Sequence, residues 1–471
     1  MRVAFCQHYF YEYLGVMMLS AQLKRHGHEV ELFIQSLDGL SGAVAEGRFD
    51  LVCFTMMSND VNWGAAAARR LKALRPSLPI AVGGPHTTFF PGFLAEHPEF
   101  DVACVGEGDE AVVDLARAIE AGEDYSRIPN LVVRTGSGEL VENPVRPLIE
   151  DLDSLPFADR QLYRKFSYFR RSSVFYLIAS RGCPYDCNFC FNHRYKALYR
   201  TARFRLRSPE NIIAEVKAIQ GQGIEIGLLV FVDSTINLDA AWCVDLFRMY
   251  REQLDVRFSV NMAAGQVSEE IVRALAETGS CRSVCFAIEV GDEKMRREVL
   301  RKNLSNADIL RAARLLRAHG IRIYAYLMFG IPFETAETAL RTIEFCQEVR
   351  PDFVKPALFV PYRELDVTRL ALEHGFVTPE DLVKLDDARF GAMESAMRLS
   401  DIAIIKNLFY LSVLMIHLPR LQPVLLRLVR LQGGALFRMA YLVSFLLQVR
   451  RFFRMPWRRS LVEFAYHRKE T

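Results

Sequence analysis

The chain has 471 residues, 51% of them hydrophobic and 24% charged, enough for about two to four domains with cores of their own. Ten scattered cysteines are too few for a disulfide scaffold, and the opening "MRVAFCQHYF" holds no apolar signal region, so a reducing, cytoplasmic setting is expected. The formal charge of +3 hides an asymmetry. From residue 401 onward twelve Lys and Arg face three Asp and Glu, which leaves +9 there and −6 over residues 1–400.

Residues 1 to about 125 alternate short apolar runs with helical patterns. "RVAFC", "EVELFIQ", "DLVCFT", "IAVGG" and "DVACVG" read as five buried strands, with amphipathic segments such as 15–26 and 64–75 between them. That order predicts a flavodoxin-like, doubly wound parallel sheet, which binds ligands at the carboxyl ends of its strands. The segments expected there are "YEYLG" (11–15), "TMMSND" (55–60), "GGPHTTFFP" (83–91) and "GEGDE" (106–110). Their glycines and small polar residues suit close backbone approach and hydrogen bonding. Residues 126–165 follow as a connecting segment, with a Gly-Ser-Gly turn fit for a small hairpin and a proline-broken "DSLPFADR".

A second β/α series runs from about 170 to 365. Strands are predicted at 174–180, 226–233, 256–262, 283–290, 322–329 and 353–360, and helices at 208–221, 238–253, 268–278, 305–319 and 335–349. Boundaries are therefore expected at 1–135, a linker 136–168, a second domain 169–370 and a helical region 371–471.

The first strand of that series leads into "SRGCPYDCNFCFNHR" (180–194), with three cysteines in C-x3-C-x2-C spacing. Zinc would ask for four ligands, usually as two separated pairs, and only His193 is at hand as a local fourth. Three buried apolar cysteines would not explain the polar, glycine-rich flanks. An iron–sulfur cluster remains, since thiolates are its usual protein ligands, and three of them leave one iron open.

With Phe189 just before the last cysteine, this stretch resembles the radical SAM signature. The resemblance implies a partial (β/α)6 barrel and a [4Fe-4S] cluster on Cys183, Cys187 and Cys190. It also implies S-adenosylmethionine on the open iron, cleaved by one electron to methionine and a 5′-deoxyadenosyl radical. Phe189, Asp233 and Glu289 are the SAM-site candidates it carries over, Glu289 being the better match of the two carboxylates; a helix N-cap is the rival reading of Asp233. "FGIPFET" (329–335) resembles a family loop that usually has glycine after its proline, where Phe333 stands here.

The first domain resembles the cobalamin-binding domain of the cobalamin-dependent (class B) radical SAM family, most specifically in "GGPHTTFFP" followed by "DVACVGEGDEAVVDL". The cobalamin contacts implied are Tyr13, Gly15, Thr55, Ser58, Gly83, Gly84, Pro85, His86, Thr87, Gly106, Glu107 and Gly108. No Asp-x-His-x-x-Gly motif is present, so the lower face of cobalamin is expected to be covered by loop residues without histidine ligation. His86 is read as packing on the corrin or its side chains, and His8 and His26 as surface or helix-end residues. No cysteine follows Cys346, which argues against auxiliary clusters.

From about 376 the strand pattern ceases. "IIKNLFYLSVLMIHLPRLQPVLLRLVRLQ" and "FRMAYLVSFLLQVRRFFRMPWRRS" carry apolar runs of about a dozen residues, short of the roughly 20 that span a bilayer. Two readings stand: a helical subdomain packed on the barrel, or a basic amphipathic element on an anionic membrane surface. Arginines interleaved with large aliphatics argue against nucleic acid.

Together the resemblances imply an enzyme that takes an electron from a flavodoxin or ferredoxin and acts on a small molecule. Methylation of an unactivated carbon by methylcobalamin is the expected outcome, with the greasy tail favouring a lipophilic substrate. An oxidative, ring-forming reaction on the same cofactors without methyl transfer is the alternative, and a cobalamin or SAM sensor is a third reading that the intact cysteine triad opposes.

Overall fold

A computed structural model of the protein describes residues 1–90, 92–386, 393–431 and 433–453. It divides into two compact units. Met1–Ser172 with Arg194–Thr201 belong to the first, and Ser173–His193, Ala202–Leu382 and the C-terminal helices to the second.

The first unit is built on strands β1 (Arg2–Gln7), β2 (Glu29–Ile34), β3 (Leu51–Thr55), β4 (Ile80–Gly83), β5 (Val102–Cys104), β6 (Leu131–Arg134) and β7 (Leu140–Glu142). They form one sheet in the order β2-β1-β3-β4-β5-β6-β7. The first five are parallel, and β1 and β3 are buried almost without interruption, as strands covered on both faces are. The reversal of strand order falls between β1 and β3, where open α/β sheets keep their ligands.

The segment expected as a linker is part of this unit. Its hairpin joins the sheet antiparallel to β5, because Leu131, Val132 and Val133 are apolar enough to need cover and are all buried. Further on, Tyr163 is fully buried and donates its hydroxyl to Gln7 Oε1 at 2.5 Å. Proline and glycine along 136–168 disguise a stretch tied down by a few isolated side chains, which no periodicity reveals.

The second unit holds β8 (Val174–Leu177), β9 (Ser180–Arg181), β10 (Arg205–Leu206), β11 (Leu228–Phe231), β12 (Phe258–Asn261), β13 (Cys281–Glu289), β14 (Arg322–Phe329) and β15 (Phe353–Leu358). Six of these pair in parallel in the order β15-β14-β13-β12-β11-β8, a curled half-barrel, while β9 and β10 form a small antiparallel ladder. Each crossover helix starts on a capping side chain: Ser208, Asp239, Ser268, Ser305 and Thr335 each accept a hydrogen bond from the backbone N–H three residues on. Such caps contribute about 1 kcal/mol apiece and fix where the helices begin. Along β14, Ile323, Ala325, Leu327 and Phe329 are buried, while Tyr324, Tyr326 and Met328 between them keep partial exposure: the two faces of a half-barrel wall.

The helix Gly434–Phe453 lies along the last strand of this sheet. Gln448 donates to the Val354 carbonyl at 2.8 Å and accepts from the Val354 N–H at 2.7 Å, which satisfies an open edge as a neighbouring strand would. Phe437, Tyr441, Ser444, Gln448 and Phe452 form its buried face. Leu436, Met439, Val443 and Leu447 form an exposed one, with Leu436 71% accessible. The tail therefore packs on the barrel, as the first of its two readings expects, and still presents an apolar stripe. Trp457 and the five Lys and Arg residues beyond residue 453 lie outside the described residues. No described helix is long and apolar enough to cross a membrane.

Candidate functional site

The cysteines sit on a loop that leaves the carboxyl end of β8. Pairing of β9 with β10 closes its base. Asn188, 3% exposed, holds its middle: its N–H donates to the Leu300 carbonyl at 3.2 Å, its side chain to the Val299 carbonyl at 2.8 Å, and its own carbonyl accepts from Val367. Cys183, Cys187 and Cys190 stand in no disulfide and are partly exposed. Asn192 donates to Cys190 Sγ at 3.5 Å and to Ser234 Oγ at 3.0 Å.

Burial pushes the Cys187 thiol up to about 12 and raises Cys190 as well, with the Lys302 ammonium opposing both. Thiols held neutral in this way ionise when a positively charged metal compensates them. Among the described residues no three His, Cys, Asp or Glu side chains converge closely enough for a single metal ion. Three thiols spaced along one loop suit the irons of an iron–sulfur cube, whose usual protein ligands are thiolates.

Glu289 ends β13 within electrostatic reach of both Cys187 and Cys190. The register of β13 against β14 slips between Ala287 and Glu289, and Glu289 takes φ +62°, a left-handed conformation costly for a non-glycine residue. A bulge of this kind re-aims the side chain. Lys302 fixes it there, donating to Glu289 Oε1 at 3.0 Å and to the Ala287 carbonyl at 2.7 Å. Lys302 is in turn placed by Arg296, fully buried, whose guanidinium donates to the carbonyls of Val290 and Leu304. Lys302, Arg296 and Asn188 belong to no motif, and only their contacts single them out.

Asp233 does not cap a helix: the helix after β11 starts at Asp239. Its carboxylate accepts from the amides of Ala179 and Ser180 and from Ser180 Oγ at 2.6 to 3.2 Å, and burial raises it to about 6 against those bonds. It thus braces the chain between β8 and β9, at the root of the cysteine loop. Phe189 is half-buried on that loop. Phe333 takes φ +64°, the conformation that a glycine in its place would adopt freely, and packs edge-on against His374 and Phe376 at 4.8 Å. Next to it Glu334, fully buried, accepts from the Gly330 amide and is raised to about 8 by burial.

The first unit gathers the other candidates at the ends of four adjacent strands, β1, β3, β4 and β5. Gly84 takes φ +111°, and a Cβ there would lie 2.8 Å from the Met56 carbonyl, so the loops after β3 and β4 touch backbone to backbone. Thr87 is fully buried and donates to the carbonyls of Cys104 and Gly84. His86 is 6% exposed, stacked on Phe90 at 4.4 Å, edge-on to Phe93, and hydrogen-bonded to Ser58 Oγ at 3.2 Å. Both shape the loop from within. His8, expected at the surface, directly follows β1 and stacks on Trp63 at 4.7 Å. His26 ends the helix Leu14–Arg25 as its C-cap. Tyr13 precedes the same helix and Thr55 ends β3. A Cβ at Gly83 would lie against Cys104, at Gly106 against Tyr199 and at Gly108 against Cys104 and Leu19, so these glycines let the loops close on their neighbours. A rim of small and polar residues at the ends of adjacent parallel strands fits a large ligand.

A parallel half-barrel with a three-cysteine loop at its mouth, in a chain that also carries a doubly wound domain with a glycine-rich rim, defines a class: iron–sulfur enzymes with a second cofactor domain. The radical SAM superfamily matches residues 177–346, and the B12-binding domain residues 3–116. The chain belongs to the cobalamin-dependent radical SAM enzymes, with a [4Fe-4S] cluster, S-adenosylmethionine and cobalamin as the cofactors of that family.

Among curated relatives, an uncharacterized methyltransferase of Pyrococcus horikoshii is 26% identical over 74% of this chain and 76% of its own length. The anaerobic magnesium-protoporphyrin IX monomethyl ester cyclase of Rubrivivax gelatinosus is 23% identical over 74% of this chain and 64% of its own. The hopanoid C-3 methylase of Methylococcus capsulatus is 28% identical over 46% of this chain and 42% of its own. The solved structure of the radical SAM methyltransferase TsrM from Kitasatospora setae, with cobalamin and a [4Fe-4S] cluster, shares the fold at a TM-score of 0.63 and 20% identity, over 80% of this chain and 76% of that one.

Proposed function

We propose that the protein methylates an unactivated carbon of a lipophilic small molecule. The observation that carries this reading is the meeting of Cys187, Cys190, Glu289 and Lys302 at the carboxyl ends of β8 and β13, in a chain with a B12-binding domain. When bound, the three cofactors supply the electron, the hydrogen-abstracting radical and the methyl group.

The chain's own residues place and shield them. Cys183, Cys187 and Cys190 hold the cluster. Glu289, oriented by Lys302, offers a carboxylate to the ammonium of SAM beside it, and Asp233 keeps the root of the loop fixed. In the first unit Tyr13, Thr55, Ser58 and the backbone of Gly83, Gly84, Gly106, Glu107 and Gly108 line the cobalamin rim, with Pro85, His86 and Thr87 shaping it. A flavodoxin- or ferredoxin-type donor supplies the electron.

Lipophilicity of the substrate is supported by the hopanoid methylase among the relatives and by the tail. The stripe of Leu436, Met439, Val443 and Leu447 lies on one helix face by its spacing, flanked by exposed Arg438 and Arg451. An apolar stripe with a cationic border fits the surface of an anionic bilayer. Flotation with vesicles of phosphatidylglycerol and phosphatidylcholine tests it: binding that Leu436→Glu/Val443→Glu abolishes supports the contact, and equal recovery of wild type and variant removes it.

The reaction is tested with anaerobically reconstituted protein and a bacterial lipid extract. Appearance of both S-adenosylhomocysteine and 5′-deoxyadenosine, with a product heavier by one methyl, is expected. Deoxyadenosine without S-adenosylhomocysteine would point to the cyclase-type reaction instead, and neither would sink the enzyme reading for lipid substrates.

A further inference from the structure

The chain just after Cys190 is fixed residue by residue. The Phe191 ring packs against that of Tyr362, with centroids 5.6 Å apart. His193 is hydrogen-bonded through Nδ1 to the Cys190 carbonyl and places Nε2 3.7 Å from Asp366 Oδ1. Arg301 donates to the other oxygen of that carboxylate at 3.2 Å. Asn192 stands between these two anchored neighbours, and all of these residues belong to the second unit.

The Asn192 carboxamide has two N–H groups on one nitrogen, and both are used. One donates to Cys190 Sγ at 3.5 Å and the other to Ser234 Oγ at 3.0 Å. A carboxamide turned the other way would set its oxygen against the sulfur, which a thiolate repels, so the two bonds fix its orientation. Ser234 directly follows Asp233, the buried carboxylate that accepts from the amides of Ala179 and Ser180 at the root of the cysteine loop. The donor is thus aimed at the sulfur from two sides, by its neighbours in the chain and by the end of β11.

We propose that Asn192 is a positioning residue for the cluster, acting through the Cys190 sulfur, and that its N–H raises the potential at which the cluster accepts an electron. This rests on the cysteine ligands proposed above and adds a residue that tunes one of them. On reduction the cluster gains one electron from the external donor, and part of the added negative charge falls on its thiolate sulfurs. An N–H bond to such a sulfur strengthens as that charge grows, so it stabilises the reduced form more than the oxidised one. No proton moves in this step. Ser234 acts at one remove, by holding the carboxamide that makes the bond.

The test is a redox titration of the full-length protein, loaded anaerobically with iron and sulfide, without SAM and followed by EPR. Asn192→Leu keeps the shape of the side chain and removes both donors. It is expected to disfavour reduction by about 10-fold, a midpoint lower by ~59 mV for a one-electron couple, with iron content and Tm unchanged. Ser234→Ala keeps the donor but frees it, and should shift the midpoint the same way by less. The double variant should match Asn192→Leu alone, because Ser234 has no path to the sulfur except through the carboxamide. If Asn192→Leu fails to hold iron, Ser234→Ala decides: a lowered midpoint supports the inference and an unchanged one overturns it. An Asn192→Leu midpoint equal to that of wild type overturns the inference and leaves the proposed function standing. Failure of the wild type to take up a four-iron cluster overturns both.

Discussion

The two sites of this molecule are made of different material. The mouth of the half-barrel is made of side chains able to carry charge or ligate metal: three thiols, a carboxylate and an ammonium. The rim proposed for cobalamin is made of backbone, drawn together at glycines and held by buried threonine and histidine side chains that face their own loops. Substitutions at the first should therefore remove chemistry and spare the fold, and at the second should disturb the fold of a loop and the cofactor with it.

The sharpest break in that contrast would come from the cysteines. Changing Cys183, Cys187 and Cys190 to alanine is expected to abolish iron binding, with far-UV circular dichroism and the thermal transition preserved, since all three thiols are partly exposed and none anchors the core. Unfolding of the variant would mean that the loop is structural after all. At the rim the order is reversed. Gly84→Ala places a Cβ against the Met56 carbonyl in a backbone conformation that L-residues avoid, and should cost about 2–4 kcal/mol of stability along with cobalamin binding. Gly15→Ala meets nothing within 4 Å. It should change stability by less than about 0.5 kcal/mol, so any loss of cobalamin there reports contact alone.

Glu334 extends the comparison to pH. Its carboxyl is raised from an ordinary 4.5 to about 8 by full burial, so the folded state binds its proton more tightly than the unfolded chain does. Its contribution to stability is complete below pH 4.5 and is lost as the pH rises toward 8. Glu334→Gln should flatten the fall in stability between pH 5 and 8 by on the order of 2–4 kcal/mol, read by urea denaturation at the two pH values. Parallel curves for variant and wild type would show that this carboxyl titrates as it does in water. A smaller effect than at Glu334 is expected at Phe333. Glycine there relieves a left-handed residue, worth about 1–2 kcal/mol, and forfeits two edge-on ring contacts of about 0.5–1.5 kcal/mol each. The net change should lie within about 1 kcal/mol, whereas Phe333→Val keeps the strain, loses the rings and should lower Tm by several degrees.

Much of this was legible in the order of residues. Six strands and five helices of the half-barrel fall within a few residues of their expected places, because buried strands alternate with helices that begin on Ser, Asp or Thr caps. The cysteine spacing and the glycine-rich strand ends were equally plain, since chemistry that depends on residue type and short spacing survives without coordinates. The connecting segment was not. Nothing local says that Leu131–Arg134 extends a sheet, or that Tyr163 reaches Gln7 across more than 150 residues.

The sequence by itself determined the two β/α series, the thiol triad and the basic, apolar tail, for each is written in periods and spacings of a few residues. Tertiary structure alone decided that Asp233 braces the cysteine loop instead of capping a helix, that Lys302 holds Glu289 in a left-handed turn, that Gln448 closes the sheet edge, and that Tyr199 meets Glu107. Those are pairings between residues 13 to 94 positions apart, and contacts at that range depend on where the backbone turns, which no local pattern encodes.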